Sequence, residues 1–485
     1  MAKPISRRTF LRQFNCAAIG SSAVLNTMLN LKLANNLGAQ SAPDNKALVC
    51  LFLNGGCDAF NVLVPIESSR YATYAASRGP FGTEGGLALD RNVLLPLSAP
   101  SDDYGLHPAC VNLQQIANGT GVFAGKRRLS FVTNVGTLIQ PITKAQFNAW
   151  ENGQNNSLPL PKSLLSHLDQ VIQWQTAVPQ GMSQLSGWAG RAADILNSSY
   201  NSGSAFMSVS LSGNNILQRG NQAQQFVLNP GSRLAFTGDA EGVKGNPLQL
   251  KNDALRSILD QQYSNLLTQS FSSITRQSDL DQQAFQAQFN SSNASLGAAD
   301  ALFPATPLGD LLKAVVRTIK IRSQLGVSRQ TFFVNYGGWD HHSELLITEG
   351  KMLGVLDGAI GAYQQALEQL GLANDVVTFT ASDFGRSLRS NGAGTDHAWG
   401  SNAMVFGGAV DGGKIFGTYP DLTLGSPDDI GYGGRFLPST SVDQYFAELL
   451  RWFGVSAGSM SYVLPNIANF WNPASSNPPL GFIKS

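Results

Sequence analysis

Four short, glycine-flanked segments hold side chains able to do chemistry together. They are Asn54-Gly55-Gly56-Cys57-Asp58, Gly338-Trp339-Asp340-His341-His342, Ser382-Asp383-Phe384-Gly385-Arg386 and Gly394-Thr395-Asp396-His397. The chain has only five histidines, and three of them lie in these segments. Carboxylates and imidazoles gathered in this way make an oxygen- and nitrogen-rich site for a divalent ion such as Zn²⁺, Mn²⁺, Ca²⁺ or Mg²⁺. A fifth segment, Leu165-Ser166-His167-Leu168-Asp169-Gln170, opens an amphipathic stretch reaching Trp174. Ser166 there reads either as a helix N-cap or as a nucleophile at a helix N-terminus, where the backbone dipole favours an oxyanion. Plainer readings stand beside these. Asp58 and Asp340 could each cap a following helix. His341 should point away from a site that His342 faces, since adjacent residues at a strand end diverge. Asp396 could orient the imidazole of His397, and His107, before Pro108, reads as structural.

The elements that must position these residues are visible as apolar runs. Residues 47–53, 129–136, 331–338, 376–381 and 404–408 read as buried strands, and the first, third and fourth run directly into the polar segments. Between the third and fourth, Met352, Leu356, Ile360, Tyr363, Leu367 and Leu370 mark one helix face that ends at Gly371. Strand–helix–strand in this order predicts a parallel pair with a right-handed crossover, and sites in such sheets lie outside the carboxyl ends of the strands. A second helix is expected over 311–325, and Ser441-x-x-Gln444 opens another that stops at Gly454. Residues 200–305, rich in Gln, Asn and Ser, read as an insertion or cap. It has a strand-like opening at 206–211, a helical run from 248 to about 289, and stands apart from the central sheet.

Composition narrows the function classes. Charged residues make up 13% of the 485 and hydrophobic ones 43%, with 50 glycines. The charged share is about half the usual one, which excludes a coiled coil or a charged disordered tail. Ser6-Arg7-Arg8-Thr9-Phe10-Leu11-Arg12, followed by an apolar small-residue stretch and Gly38-Ala39-Gln40-Ser41-Ala42, has the form of a twin-arginine export signal. Residues 1–42 hold five of the 33 basic residues and no acid, so a chain cut there keeps 28 basic residues against 32 acidic ones, a net charge near −4. That gives no electrostatic case for nucleic acid or an anionic membrane. No later stretch approaches the roughly 20 apolar residues of a membrane span. The expected location is periplasmic or secreted, with the export machinery as a partner. Cys50, Cys57 and Cys110 would remain, an odd number that leaves at least one thiol unpaired or buried.

Taken in order, these motifs resemble one family, that of the domain of unknown function numbered 1501, whose exported members are placed in the alkaline phosphatase and sulfatase superfamily. The resemblance is carried by the Arg-Arg signal, Gly55-Gly56-x-Asp58-x-x-Asn61, Leu106-His107-Pro108, Ser166-His167-x-Asp169-Gln170 and Gly187-Trp188-x-Gly190-Arg191. It continues through Gly338-Trp339-Asp340-x-His342, Ser382-Asp383-Phe384-Gly385-Arg386, Asn391-Gly392-x-Gly394-Thr395-Asp396-His397 and Pro438-x-x-Ser441-Val442-Asp443-Gln444-Tyr445. It implies an α/β, alkaline phosphatase-like three-layer fold over residues 43–485, with a mostly parallel central sheet and the Gln/Asn-rich insertion. It further implies hydrolysis of phosphate or sulfate esters of a small molecule or glycan. One ion would be held by Asp340, His342 and His397, and another by Asp58 and Asp383. Ser166 would be the nucleophile and Arg386 would clamp ester oxygens. Where the superfamily usually has Asp-His, this chain has Asp383-Phe384. Either His167 replaces the lost imidazole, or Arg386 supplies the positive charge, or the protein holds one metal and works as a non-catalytic surface or assembly protein.

Overall fold

The computed structural model describes residues 44–181, 186–201, 204–228 and 247–484. Residues 1–42, where the sequence suggests an export signal and its cleavage site, and part of the 200–305 stretch lie outside the described residues. Among the described residues one sheet has nine strands. We number them β1 (Lys46–Asn54), β2 (Leu129–Gly136), β3 (Ser208–Ser210), β4 (Phe226–Val227), β5 (Arg329–Gly337), β6 (Val376–Ser382), β7 (Ser401–Gly407), β8 (Ile415–Phe416) and β9 (Thr440–Ser441). Their order is β8-β2-β7-β6-β1-β5-β3-β4, with β9 beside β2. All neighbours are parallel except β7, which runs antiparallel between β6 and β2. The protein is thus α/β with a mixed, mostly parallel sheet.

β1 is central because both its faces are apolar. Val49, Leu51 and Leu53 enter one core, with Leu353, Leu356, Ile360, Tyr363 and Leu367 from helix Leu345–Gln369. Leu48, Cys50 and Phe52 enter the other, with Trp188 and Ala192 from helix Trp188–Tyr200 and Tyr445, Phe446 and Leu449 from helix Val442–Phe453. This period-two division is what a strand covered by helices on both faces requires. Register then aligns the strand ends: Asn54 pairs with Gly337 and Leu53 with Ser382. The loops carrying Asp58, Asp340 and Asp383 therefore leave the same edge.

The capping box at Ser441 and Gln444 and the left-handed Gly454 stop are present. The helix expected over 311–325 runs instead over Pro307–Lys320, because Thr306 caps it and Pro307 fits its first turn. The 200–305 stretch, expected from its composition to stand apart from the central sheet, is not wholly separate from it. β3 and β4 extend the sheet beyond β5, tied on by main-chain pairing that side-chain composition does not report. Its helical run is two helices, Pro247–Leu259 and Leu266–Phe289. They are joined by an Arg256–Asp279 ion pair at 3.0 Å and by the Ser272 hydroxyl donating to the Leu259 carbonyl at 2.7 Å. Among the described residues, Cys50, Cys57 and Cys110 are free and buried. No helix among the described residues is long and apolar enough to cross a membrane.

Asp443, in the first turn of helix Val442–Phe453, is fully buried, and neither carboxylate oxygen has a hydrogen-bond partner. Burial pushes its pKa up to about 8, only partly opposed by its backbone contacts and the Arg191 charge. The folded state therefore binds a proton that the unfolded chain releases between about pH 4 and pH 8, so this group lowers stability as pH rises through that window. Asp443→Asn should raise the melting temperature at pH 8 by roughly 2–4 °C and flatten its fall from pH 5 to pH 8. Thermal melts across that range check both.

Candidate metal centre

The β1 turn is shaped for close approach. Gly55 has φ +122, and a side chain there would meet the Asp340 amide at 2.6 Å. Its own N–H donates to Asp383 Oδ1 at 3.0 Å, while the Asn54 carbonyl accepts from the amides of Gly338 and Trp339 at 3.1 and 3.2 Å. The turn thus locks the β5 and β6 ends together. Beyond β5 the side chains diverge as expected: His341 is buried, and His342 is exposed and faces Asp340.

Three imidazoles approach Asp340, and each has its Nδ1 held by an oxygen. His167 Nδ1 lies 2.7 Å from Asp383 Oδ2, His397 Nδ1 2.9 Å from the Leu165 carbonyl, and His342 Nδ1 3.3 Å from Asp396 Oδ1. A carbonyl or an ionised carboxylate can only accept, so each Nδ1 carries a hydrogen, and in a neutral ring Nε2 then presents a lone pair. The Nε2 atoms converge. His342 and His397 have theirs 3.1 Å apart, with Asp340 Oδ1 at 3.0 and 3.3 Å. His167 Nε2 lies 3.4 Å from Asp340 Oδ2 and has no hydrogen-bond partner. Two imidazole lone pairs facing each other repel unless a cation stands between them. Ligand atoms of His167, Asp340 and His397 all lie within 4.8 Å of one another, and this cluster could hold a metal ion. An oxygen on each outer nitrogen is the arrangement that orients metal-binding imidazoles.

The remaining groups set the electrostatics. Partial burial pushes Asp340 up, but the hydrogen bond and charge of Arg386, with His342 and His167, outweigh it, so its pKa lies below the ordinary value. Burial dominates at Asp383 and raises its pKa against the Gly55 N–H and His167. Burial lowers the pKa of His397, favouring the neutral, ligating form. Arg386 is buried, and each of its three guanidinium nitrogens donates a hydrogen bond. It donates to Asp340 Oδ1 at 2.7 Å, to the Thr395 hydroxyl at 3.1 Å and to the Thr395 carbonyl. It aligns Asp340 and has little left for an ester.

Asp58 lies elsewhere in this edge. Its carboxylate is buried and gripped by Arg78, the last residue of helix Ser68–Arg78, at 2.5 and 3.3 Å. It sits at the N-cap position of a short helix without capping it. Asp383 touches the cluster through His167. Ser166 is the N-cap residue of helix His167–Thr176, and its side chain makes no capping bond. Asp340 does not cap the following helix, whose cap position is Glu344. Asp396 orients His342 and not His397. His107 accepts from the Ala109 amide at 3.0 Å, and burial lowers its pKa to about 4, as suits a structural role. Sequence reasoning missed Arg78 and the Leu165 carbonyl. The latter depends on Leu165 adopting φ +74, which a leucine does not advertise.

A sequence model described as "Protein of unknown function (DUF1501)" matches residues 45–430. The chain belongs to the DUF1501 family. The matched span begins just before β1 and includes Asp58, Ser166, His167, Asp340, His342, Asp383, Arg386 and His397, so every residue of the cluster lies within the DUF1501 region. No curated protein matches the chain.

Proposed function

We propose that this DUF1501 protein is an exported hydrolase-like protein of the alkaline phosphatase and sulfatase type. It would use one divalent ion to hydrolyse phosphate or sulfate esters of small molecules or glycans. The observation that carries the reading is the convergence of Nε2 lone pairs on Asp340. His167, His397 and Asp340 would hold the ion, with His342 facing it beside His397. The ion's contribution would be to polarise an ester oxygen and neutralise charge developing on it. His167 stands in for the imidazole missing at Phe384: its ring lies 4.7 Å from the Phe384 ring and its Nδ1 is on Asp383. Ser166, one residue before this ligand, is the nucleophile. Its oxygen takes the phosphoryl or sulfuryl group. The leaving oxygen departs as an alcohol with the serine proton, and water then releases inorganic phosphate or sulfate and restores the hydroxyl. Amides of the first turn of helix His167–Thr176 favour the negative charge that builds there. Twin-arginine export rests on the Ser6–Arg12 motif.

A second reading has its own support. Asp58 and Arg386, two groups a two-metal ester hydrolase would spend on ion and substrate, are both spent on the protein itself. A non-catalytic surface or assembly protein with one structural ion would look the same. A panel of phosphate and sulfate esters, assayed with Zn²⁺, Mn²⁺, Ca²⁺ and Mg²⁺, separates them. The hydrolase reading expects metal-dependent turnover that Ser166→Ala reduces at least about a hundredfold without loss of metal. Metal bound with no ester turned over establishes the second reading.

A further inference from the structure

Arg386, the arginine that the family resemblance puts forward as the substrate clamp, has all three guanidinium nitrogens bonded to Asp340 and Thr395. A different arginine near the cluster does not. Arg435 stands at the end of a loop in which Gly431, Tyr432, Gly433 and Gly434 all have positive φ, between +55 and +104. That loop docks edge-on against the segment following Arg386: the amides of Leu388 and Arg389 donate to the carbonyls of Gly434 and Gly433 at 3.0 and 2.7 Å. The Arg386 segment is bridged in turn to His397, and the Ser387 amide donates to the Asp396 carbonyl at 2.8 Å. Three neighbouring segments therefore bring Arg435 beside Asp396, the carboxylate that orients His342.

The state of this guanidinium is unusual for its surroundings. Its Nε is buried without a hydrogen-bond partner, and no hydrogen bond joins it to any described residue. Its neighbours hold it without using its donors. The Tyr432 ring lies 5.0 Å below it, and that ring is fixed by its hydroxyl donating to Glu151 Oε1 at 2.7 Å. Asp396 supplies charge but directs Oδ1 to His342 and to the Asn391 amide at 3.2 Å. Burial lowers the pKa of Arg435 against the Asp396 charge, and an arginine remains a cation regardless. A cation placed on an aromatic platform, with its planar fork of donors unspent, is set up for a bidentate oxyanion.

We infer that Arg435 is the residue that receives the anionic group of the substrate, a phosphate or sulfate, at the wall of the cluster. Arg386 is a positioning residue for Asp340. The identity of the anion rests on the ester-hydrolase reading; whether an anion binds at Arg435 does not.

Isothermal titration of inorganic phosphate, with sulfate in parallel, into metal-loaded and chelated protein tests this. Wild type should bind the anion, and Arg435→Gln should weaken it by about tenfold or more, with divalent metal content and melting temperature unchanged. Arg435→Lys should fall between, since it keeps the charge and loses the fork. If Arg435→Gln does not fold, Arg435→Lys decides: it must melt like wild type and bind phosphate more weakly. Equal affinity in wild type and either folded variant, or no anion binding by wild type in either metal state, overturns the inference. The two claims fail separately. An Arg435-dependent phosphate site in a protein that turns over no ester removes the hydrolase reading alone. Ester turnover with phosphate binding indifferent to Arg435 removes this inference alone.

Discussion

Chelation should lower the melting temperature of the wild-type protein by several degrees, and Asp340→Asn should lose most of that response. An ion that binds only the folded state stabilises it by about 2.7 kcal/mol when its concentration exceeds the dissociation constant a hundredfold. Asp340 is the one carboxylate within the 4.8 Å cluster, and its pKa is already held down by Arg386, so it offers a full negative charge at neutral pH. The asparagine keeps the shape and removes that charge. It also strips Arg386 of its carboxylate partner, so Asp340→Asn should start from a lower melting temperature than wild type even before chelation. Asp169→Asn is the control. Asp169 lies in the first turn of helix His167–Thr176, outside the cluster, and this variant should respond to chelator as wild type does. A melting temperature indifferent to chelator, with no divalent metal in the purified protein, would remove the metal reading.

Arg78→Met should destabilise the protein by about 3–5 kcal/mol, because it leaves the Asp58 carboxylate buried and unpaired. The pair is enclosed, with 0% and 1% of the two side chains exposed. Glu349, itself fully buried, lies close enough for burial and the Asp58 charge to push its pKa well up. Removing the Arg78 charge thus leaves two acids facing each other. The double variant Arg78→Met/Asp58→Asn should recover part of the loss, since the uncompensated charge goes with the second change. Urea denaturation of the wild type, Arg78→Met, Asp58→Asn and the double variant measures this. The same experiment defines Asp58. As an ion-pair partner, Asp58→Asn weakens folding and changes metal affinity by no more than a few-fold; as a ligand, it would lose metal first.

How much of this could be read beforehand follows from the range of each interaction. The five long strands were legible because each is a run of apolar residues buried on both faces, and their order with the 345–369 helix made the shared edge predictable. Asp340, His342 and His397 were legible because strand ends and glycines flag them. The missing parts are pairings between distant loops. Nothing in Arg78, twenty residues beyond Asp58 at the end of a helix, marks it as a partner. The Leu165 carbonyl reaches His397 only through an unusual backbone angle. Asp396 favours His342 over its own neighbour His397 because the 395–397 segment bridges to Arg386 and its side chains alternate. β3 falls inside the strand-like opening read at 206–211, whereas a two-residue strand such as β4 carries too little periodicity to show.

The most direct test is a crystal structure of the protein grown with Zn²⁺ or Mn²⁺, with data collected at the metal's absorption edge. An anomalous peak should lie about 2.0–2.2 Å from His167 Nε2, His397 Nε2 and an Asp340 oxygen, with each Nδ1 still on its oxygen partner. A crystal containing the metal with no peak in this cluster, or with its peak between Asp58 and Asp383, would contradict the account.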